Sequence, residues 1–159
     1  MDTPDLDGST AFITGTTRGI GKAIALALAE AGCNVVSTGK TVDDSDSDLS
    51  GTIHKTAEEC EAKGVDTLAL QLDVRDEAAV EAAAEEAIEE FGTVDIVVNN
   101  ASAIQMANVT DLPAKRFDLL NEVNVRGTYL VSRAFLPHLR EQEGAWLLTN
   151  APPVVTDRS

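Results

Sequence analysis

One stretch constrains this chain more than any other. Thr14-Gly15-Thr16-Thr17-Arg18-Gly19-Ile20-Gly21 follows the short apolar run Ala11-Phe12-Ile13 and opens a helical pattern. A strand, a glycine turn and a helix in that order is how an open α/β sheet holds a phosphate. Gly15 allows a tight exit from the strand. Gly19 lets backbone approach a pyrophosphate, and Gly21 lets the helix pack closely on the sheet. The first-turn N–H groups have no intrahelical partner, and the helix dipole favours an anion beside them. Gly15, Thr16, Thr17, Arg18, Gly19, Ile20 and Gly21 therefore read as a dinucleotide site, against the plainer alternative of a loop that is merely glycine-rich.

The same alternation continues along the chain. Strands are expected at Thr10 to Thr14, Asn34 to Thr38, Thr67 to Leu72, Val94 to Val98 and Ala145 to Thr149. The first helix carries apolar residues at Ile20, Ala23, Ile24, Ala27, Leu28 and Ala31, the spacing of one helical face. The third repeats it at Val80, Ala83, Ala84, Ala87, Ile88 and Phe91, after Asp76 as N-cap. A second helix spans about Ile53 to Lys63, and a long fourth runs from Asp111 to about Arg140, disturbed near Pro137. Asp43-Asp44-Ser45-Asp46-Ser47-Asp48 lacks the glycine and distal glutamate of a calcium loop and reads as solvated. Alternating strands and helices imply a doubly wound, Rossmann-type parallel sheet with helices on both faces, in one domain over residues 1–159. Right-handed crossovers give the strand order 3-2-1-4-5. The order reverses between strands 1 and 4, and Gly15 and Asn99 both follow strands that border that crevice.

Charge narrows the partners. A net charge of -15 opposes binding to nucleic acid and to anionic membranes, and the few basic residues form no stripe. No apolar run is long enough to cross a bilayer. The acidic start Met1-Asp2-Thr3-Pro4-Asp5 does not resemble a secretory or transit signal, so a cytoplasmic protein is expected. Surplus acid, few lysines and abundant alanine suggest adaptation to high salt. Cys33 and Cys60 have no metal-ligand spacing and read as small buried residues in a reducing compartment; no metal is expected.

Three positions outside the glycine turn carry chemistry. Lys40, just past the second strand, faces the place where a cofactor ribose would lie. A carboxylate there suits the 2′-hydroxyl of NAD, whereas a cation accommodates the 2′-phosphate of NADP. Lys40 with Arg18 therefore favours NADP over NAD. Asp73, at the end of the third strand, reads either as an acceptor for the adenine amino group or as a turn residue. Asn124 shares a helical face with Leu120, Gly127 and Val131. A buried amide there needs partners, either local backbone or an active-site water.

Taken together, the glycine turn, Asp73-Val74, Asn99-Asn100-Ala101 and Asn124-Val125-Arg126-Gly127-Thr128-Tyr129 resemble the short-chain dehydrogenase/reductase family, in its order and spacing. Gly39-Lys40-Thr41, Asn100-Ala101-Ser102-Ala103-Ile104 and Pro152-Pro153 look like its hydroxysteroid dehydrogenase-like branch. The resemblance implies that Gly15 to Gly21 hold the pyrophosphate and that Asp73 and Val74 meet adenine. It implies Asn100 and Ala101 along the nicotinamide-side ribose, and Asn124 in the catalytic set as part of a proton relay. It also implies hydride transfer between nicotinamide and a small carbonyl or alcohol, and pairing of copies through the fourth helix and the helix after strand 5, of which this sequence holds the fourth helix. The family's further residues are a serine after strand 5 and a Tyr-x-x-x-Lys. Here the first region reads Asn150-Ala151-Pro152-Pro153, and the resemblance places the second beyond Ser159. Tyr129, followed by Arg133, is a near-match read as packing. The expected chain is thus a cofactor-binding part with the C-terminal strands absent. The alternatives are a non-catalytic nucleotide module with a regulatory or partner-binding role, and a methyltransferase, which Lys40 disfavours.

Overall fold

The computed structural model describes residues 5–43 and 50–151. Strands β1 (Thr10–Thr14), β2 (Asn34–Gly39), β3 (Thr67–Gln71), β4 (Ile96–Asn99) and β5 (Trp146–Thr149) form one parallel sheet. Their order is β3-β2-β1-β4-β5, as the alternation requires. The helices are α1 (Gly19–Glu30), α2 (Ile53–Glu61), α3 (Glu77–Phe91), α4 (Ala114–Asn121) and α5 (Thr128–Leu139). Most of the expected acidic loop, residues 44–48, lies outside the described residues, as do Pro152, Pro153 and Thr156.

Successive side chains of a strand point to opposite faces, and both faces here are apolar. Phe12, Val36 and Val97 pack with α3 and α5 through Val80, Ala84, Val131 and Phe135. Ala11, Ile13, Val35, Ile96 and Val98 pack with Ala25, Ala29 and Cys60 from α1 and α2. Phe12 and Phe135 meet with ring centroids 4.6 Å apart. Both cysteines are buried, as expected. Burial, with a smaller push from Asp95, raises the Cys33 thiol to about 12, and burial with Glu59 raises Cys60 to about 11. Neither is a thiolate at neutral pH. Among the described residues no helix is long and apolar enough to cross a membrane.

Three local expectations need correction. The buried residues of α1 are Gly21, Ala25 and Ala29, not the stripe through Ile20, Ala23 and Ala27. Ile20 is 64% exposed. Small side chains let α1 lie close on the sheet, so its bulkier residues are displaced to the flank. There Ile24 and Leu28 line an apolar hollow with Ile96, Trp146 and Leu148 of the neighbouring strands. Gly21 is required by the turn rather than by the sheet. A Cβ at that position would meet the carbonyl oxygen of Gly15 and the side-chain nitrogen of Asn100. Finally, the long helix is interrupted at Glu122–Gly127, which forms a π-helical segment between α4 and α5. Pro137 sits in the last turn of α5 without ending it. The wider turn brings Gly127 against Val74, where a Cβ would approach Val74 Cγ2 to 2.6 Å.

The clash at Gly21 is with backbone, which cannot swing away. Gly21→Ala is therefore expected to lower stability by roughly 1–3 kcal/mol, the usual cost of forcing atoms into a filled site. Urea denaturation checks this; an unchanged midpoint would show that the turn yields freely.

Candidate cofactor-binding site

The cleft is built on a polar lock between the exits of β1 and β4. The buried Thr14 hydroxyl lies 3.3 Å from the carbonyl oxygen of Val98, to which it donates. It accepts the N–H groups of Asn100 and Ala101 at 2.9 and 3.0 Å. The Asn100 amide donates to the carbonyls of Thr14 and Gly15, both at 3.0 Å. Asn150, just past β5, donates in turn to the Asn100 side chain at 3.0 Å. Gly15 has φ of +74°, and a Cβ there would sit 2.9 Å from the Cα of Ala101. Only glycine combines that conformation with that approach.

The turn is also tied to β2. The N–H groups of Gly15 and Thr16 donate to the carbonyl of Thr38 at 2.9 and 3.0 Å. Thr16 is fully buried, its hydroxyl 2.7 Å from that of Ser37. Its side chain therefore faces the scaffold, and only its backbone borders the turn. Beyond it, Arg18 is extended and α1 starts with no side-chain cap. A Cβ added at Gly19 would meet nothing within 4 Å. An uncapped helix N-terminus beneath open space fits a phosphate, since its N–H groups and dipole both favour an anion.

Gly15, Thr17, Arg18, Lys40, Asp73, Val74 and Ala101 line one cleft of about 330 Å³. The structure thus brings together most of the residues expected to hold a cofactor. Gly19, Ile20 and Gly21 stand at the start of α1 beside it, and Asn100 lies behind it as the bracket just described.

Sequence reasoning missed Arg75, which shares this cleft. Asp73 caps a turn in which Arg75 comes back over its carboxylate. The Arg75 N–H donates to Asp73 Oδ1 at 3.1 Å and Nη2 donates to Oδ2 at 2.6 Å. Lys40 Nζ lies 3.2 Å from the same Oδ2. The hydrogen bonds from Arg75, outweighing burial and helped by Lys40, hold the Asp73 carboxyl well below the usual range. The available signal was the i, i+2 pairing of an aspartate with a basic residue in a turn. The turn reading of Asp73 is what the geometry displays.

Asn124 occupies the π-helical segment and is exposed, not on a buried face as its spacing suggested. An ordinary helical wheel assigns the wrong face once the turn widens. Its amide is nonetheless fully used, accepting the N–H of Ala103 at 2.8 Å and donating to its carbonyl at 2.9 Å. It thereby fixes the loop that follows β4. Tyr129, expected to pack, is 59% exposed in this chain. It lines a separate shallow hollow with Val125 and Arg126. Its near-match partner Arg133 is bound to Glu77 at 2.6 Å.

The sequence profile of the short chain dehydrogenases matches residues 9–149. The chain belongs to the short-chain dehydrogenase family. It is similar to human "Hydroxysteroid dehydrogenase-like protein 2", 50% identical over 153 residues, which cover 96% of this chain and 36% of that protein. The chain thus spans about a third of such curated relatives. A putative dehydrogenase from Xanthomonas campestris is 45% identical with a TM-score of 0.90, over 97% of this chain and 57% of that one. A short chain dehydrogenase from Burkholderia cenocepacia J2315, solved in complex with NADP, is 34% identical with a TM-score of 0.80, over 91% and 55%. The branch suggested by Gly39-Lys40-Thr41 and Asn100-Ala101-Ser102 is the one the human relative's name carries.

Because its folded-state pKa is depressed, Asp73 contributes stability that is complete above its unfolded value near 4 and is lost as pH falls through the folded value. Asp73→Asn is expected to cost about 1–2 kcal/mol at neutral pH. The gap between wild type and variant should hold constant above about pH 5 and narrow below about pH 4. Thermal melts across pH test this; a gap that widens in acid would contradict it.

Proposed function

We propose that this chain binds NADP in the cleft, with NAD the weaker ligand, and is the cofactor-binding part of an oxidoreductase. The reaction would interconvert a small carbonyl compound and an alcohol. The observation that carries the reading is a cation at the ribose end: Lys40 follows β2, its side chain is 65% exposed, and no carboxylate lies between Thr38 and Val42. The NADP held by the Burkholderia relative supports it.

In this reading the first turn of α1, from Gly19 to Gly21, takes the pyrophosphate, while Arg18 and Lys40 take the 2′-phosphate. Gly15, Thr16 and Thr17 shape the turn, Asp73 and Val74 border adenine, and Asn100 and Ala101 follow the nicotinamide-side ribose. The nicotinamide supplies or accepts the hydride. Asn124 fixes the loop at Ala103 and belongs to the proton relay. The acidic surface, with a net charge of -15, suits a cytoplasm of high salt and keeps nucleic acid and anionic membranes away. A homo-oligomer through the α4–α5 face remains part of the proposal, since Phe117, Val125 and Tyr129 are exposed there.

A second reading, a non-catalytic nucleotide module, rests on two observations. The single tyrosine, Tyr129, lies in a different hollow from the cleft, and Asn150 offers no hydroxyl past β5. Reduction of a carbonyl needs a positioned acid, worth about 10²–10⁴-fold in rate.

Two outcomes are expected. Lys40→Asp should weaken NADPH roughly 10- to 100-fold, the worth of a charge-assisted bond, and improve NADH. Fluorescence titration of both cofactors decides; an unchanged ratio would remove the case for NADP. The chain 1–159 should also show no NADPH consumption with a panel of carbonyl compounds, followed by nicotinamide absorbance. Turnover that disappears in Tyr129→Phe would instead make Tyr129 the acid.

A further inference from the structure

Two cations share the Asp73 carboxylate, and they hold it unequally. Arg75 makes four contacts with it, between 2.6 and 3.1 Å, through its N–H, Nε and Nη2. Lys40 makes one, at 3.2 Å, from a side chain that is mostly in solvent. Arg75 is itself gripped from the π-helical segment. Glu122 lies 3.6 Å from its Nη1, and Arg126 donates to its carbonyl oxygen at 2.6 Å. Arg126 then reaches Glu77 on α3 at 3.4 Å. The guanidinium is fixed at both ends, whereas the ammonium is tethered by a single long bond on a flexible stem.

This inequality matters when an anion arrives. An ammonium that leaves a carboxylate with no other cation abandons an unpaired charge. Here the carboxylate keeps a forked guanidinium, so departure of Lys40 costs little. The same guanidinium offsets the negative charge that would otherwise repel a phosphate at this end of the cleft.

We infer that Arg75 sets the choice between a 2′-phosphate and a 2′-hydroxyl: by occupying Asp73 it frees Lys40 to transfer from the carboxylate to the phosphate. Arg75 is a positioning residue, acting through Asp73 and Lys40 without touching the phosphate. The inference rests on the nucleotide reading above and adds to it a determinant outside the glycine turn and the end of β2.

The test uses adenosine 2′,5′-bisphosphate and adenosine 5′-monophosphate, which differ only in the 2′-phosphate and need no nicotinamide site. Calorimetric titration of the chain with each gives a preference ratio. Wild type should favour the bisphosphate. Arg75→Gln should lower the ratio by about two- to fivefold, the range of a half-exposed charge contact. Arg75→Lys, which keeps the charge without the fork, should lower it less. Adding Asp73→Asn to Arg75→Gln should restore it, because no carboxylate then retains Lys40. A merely structural role for Arg75 would weaken both ligands equally and leave the ratio unmoved, which would overturn the inference, as would a failure of Asp73→Asn to restore it. Binding of neither ligand by wild type would overturn the nucleotide reading itself and this inference with it. Binding of both with no preference, unaffected by Lys40→Ala, would overturn the NADP assignment alongside it.

Discussion

The site depends on one buried hydroxyl. At the reversal of strand order, β1 and β4 run side by side and their chains leave in different directions. That parting opens a crevice and also strands backbone N–H groups that would otherwise pair along a ladder. Thr14 resolves both problems, since one Oγ1 accepts the N–H groups of Asn100 and Ala101 while donating to Val98. A buried donor left without a partner costs on the order of 1–3 kcal/mol. The lock thus removes a penalty and fixes the geometry of the glycine turn in the same contact. Asn100 extends it by holding the carbonyls of Thr14 and Gly15. At Gly19 the turn presents backbone and open space, with Thr17 and Arg18 lining the cleft beside it.

From that fixed point the electrostatics divide into two kinds. Lys22–Glu59 and Lys63–Glu30 are ion pairs with at least one partner well exposed, and such pairs contribute about 0–1 kcal/mol. The cluster at Asp73 is different because its members share partners. Asp73, Arg75, Lys40 and Glu122 come from the ends of β2 and β3 and from the π-helical segment, and each is restrained by another. A net charge of -15 makes cations scarce in this chain, yet among the described residues Arg18, Lys40 and Arg75 line one cleft against the single carboxylate of Asp73. That local surplus of cations, more than any single contact, is what the proposed nucleotide reading draws on.

The sheet was legible in the sequence because its signals are redundant. β-branched runs, glycines past the helices and right-handed crossovers all give the same order, and one ambiguous residue changes nothing. Details that rest on a single signal were lost. The face of α1 was misread because alanine counts as apolar wherever it falls, whereas the deciding variable was size; Gly21, Ala25 and Ala29 are buried because they let the helix approach. The π-helical segment has no distinct composition, and a wheel drawn at ordinary spacing put Asn124 inside when it is outside. Arg75 escaped because its role appears only when the turn after β3 folds it over Asp73. The candidate cofactor residues fared better than their assigned contacts: most reach the cleft, but Thr16 and Asn100 serve it from behind.

Burial divides the sheet into two unequal parts. Every residue of β1 and β4 is buried, and β2 nearly so, and the ends of β1, β2 and β3 carry the glycine turn, Lys40 and Asp73. That half has helices on both faces and its own pair of apolar cores. β5 is the opposite: all four of its residues are exposed, including Trp146, Leu147 and Leu148, and one flank opens onto the apolar hollow beside Ile24 and Leu28. An apolar edge strand of this kind is a template for further pairing. Among the described residues, the polar link from the end of β5 runs through Asn150, whose N–H donates to the Asn99 carbonyl at 2.9 Å and whose amide donates to Asn100 at 3.0 Å. The well-packed half therefore holds the glycine turn and the cluster at Asp73 without help from β5. An acid placed past β5 would depend on whatever covers that edge, and its geometry would be set there.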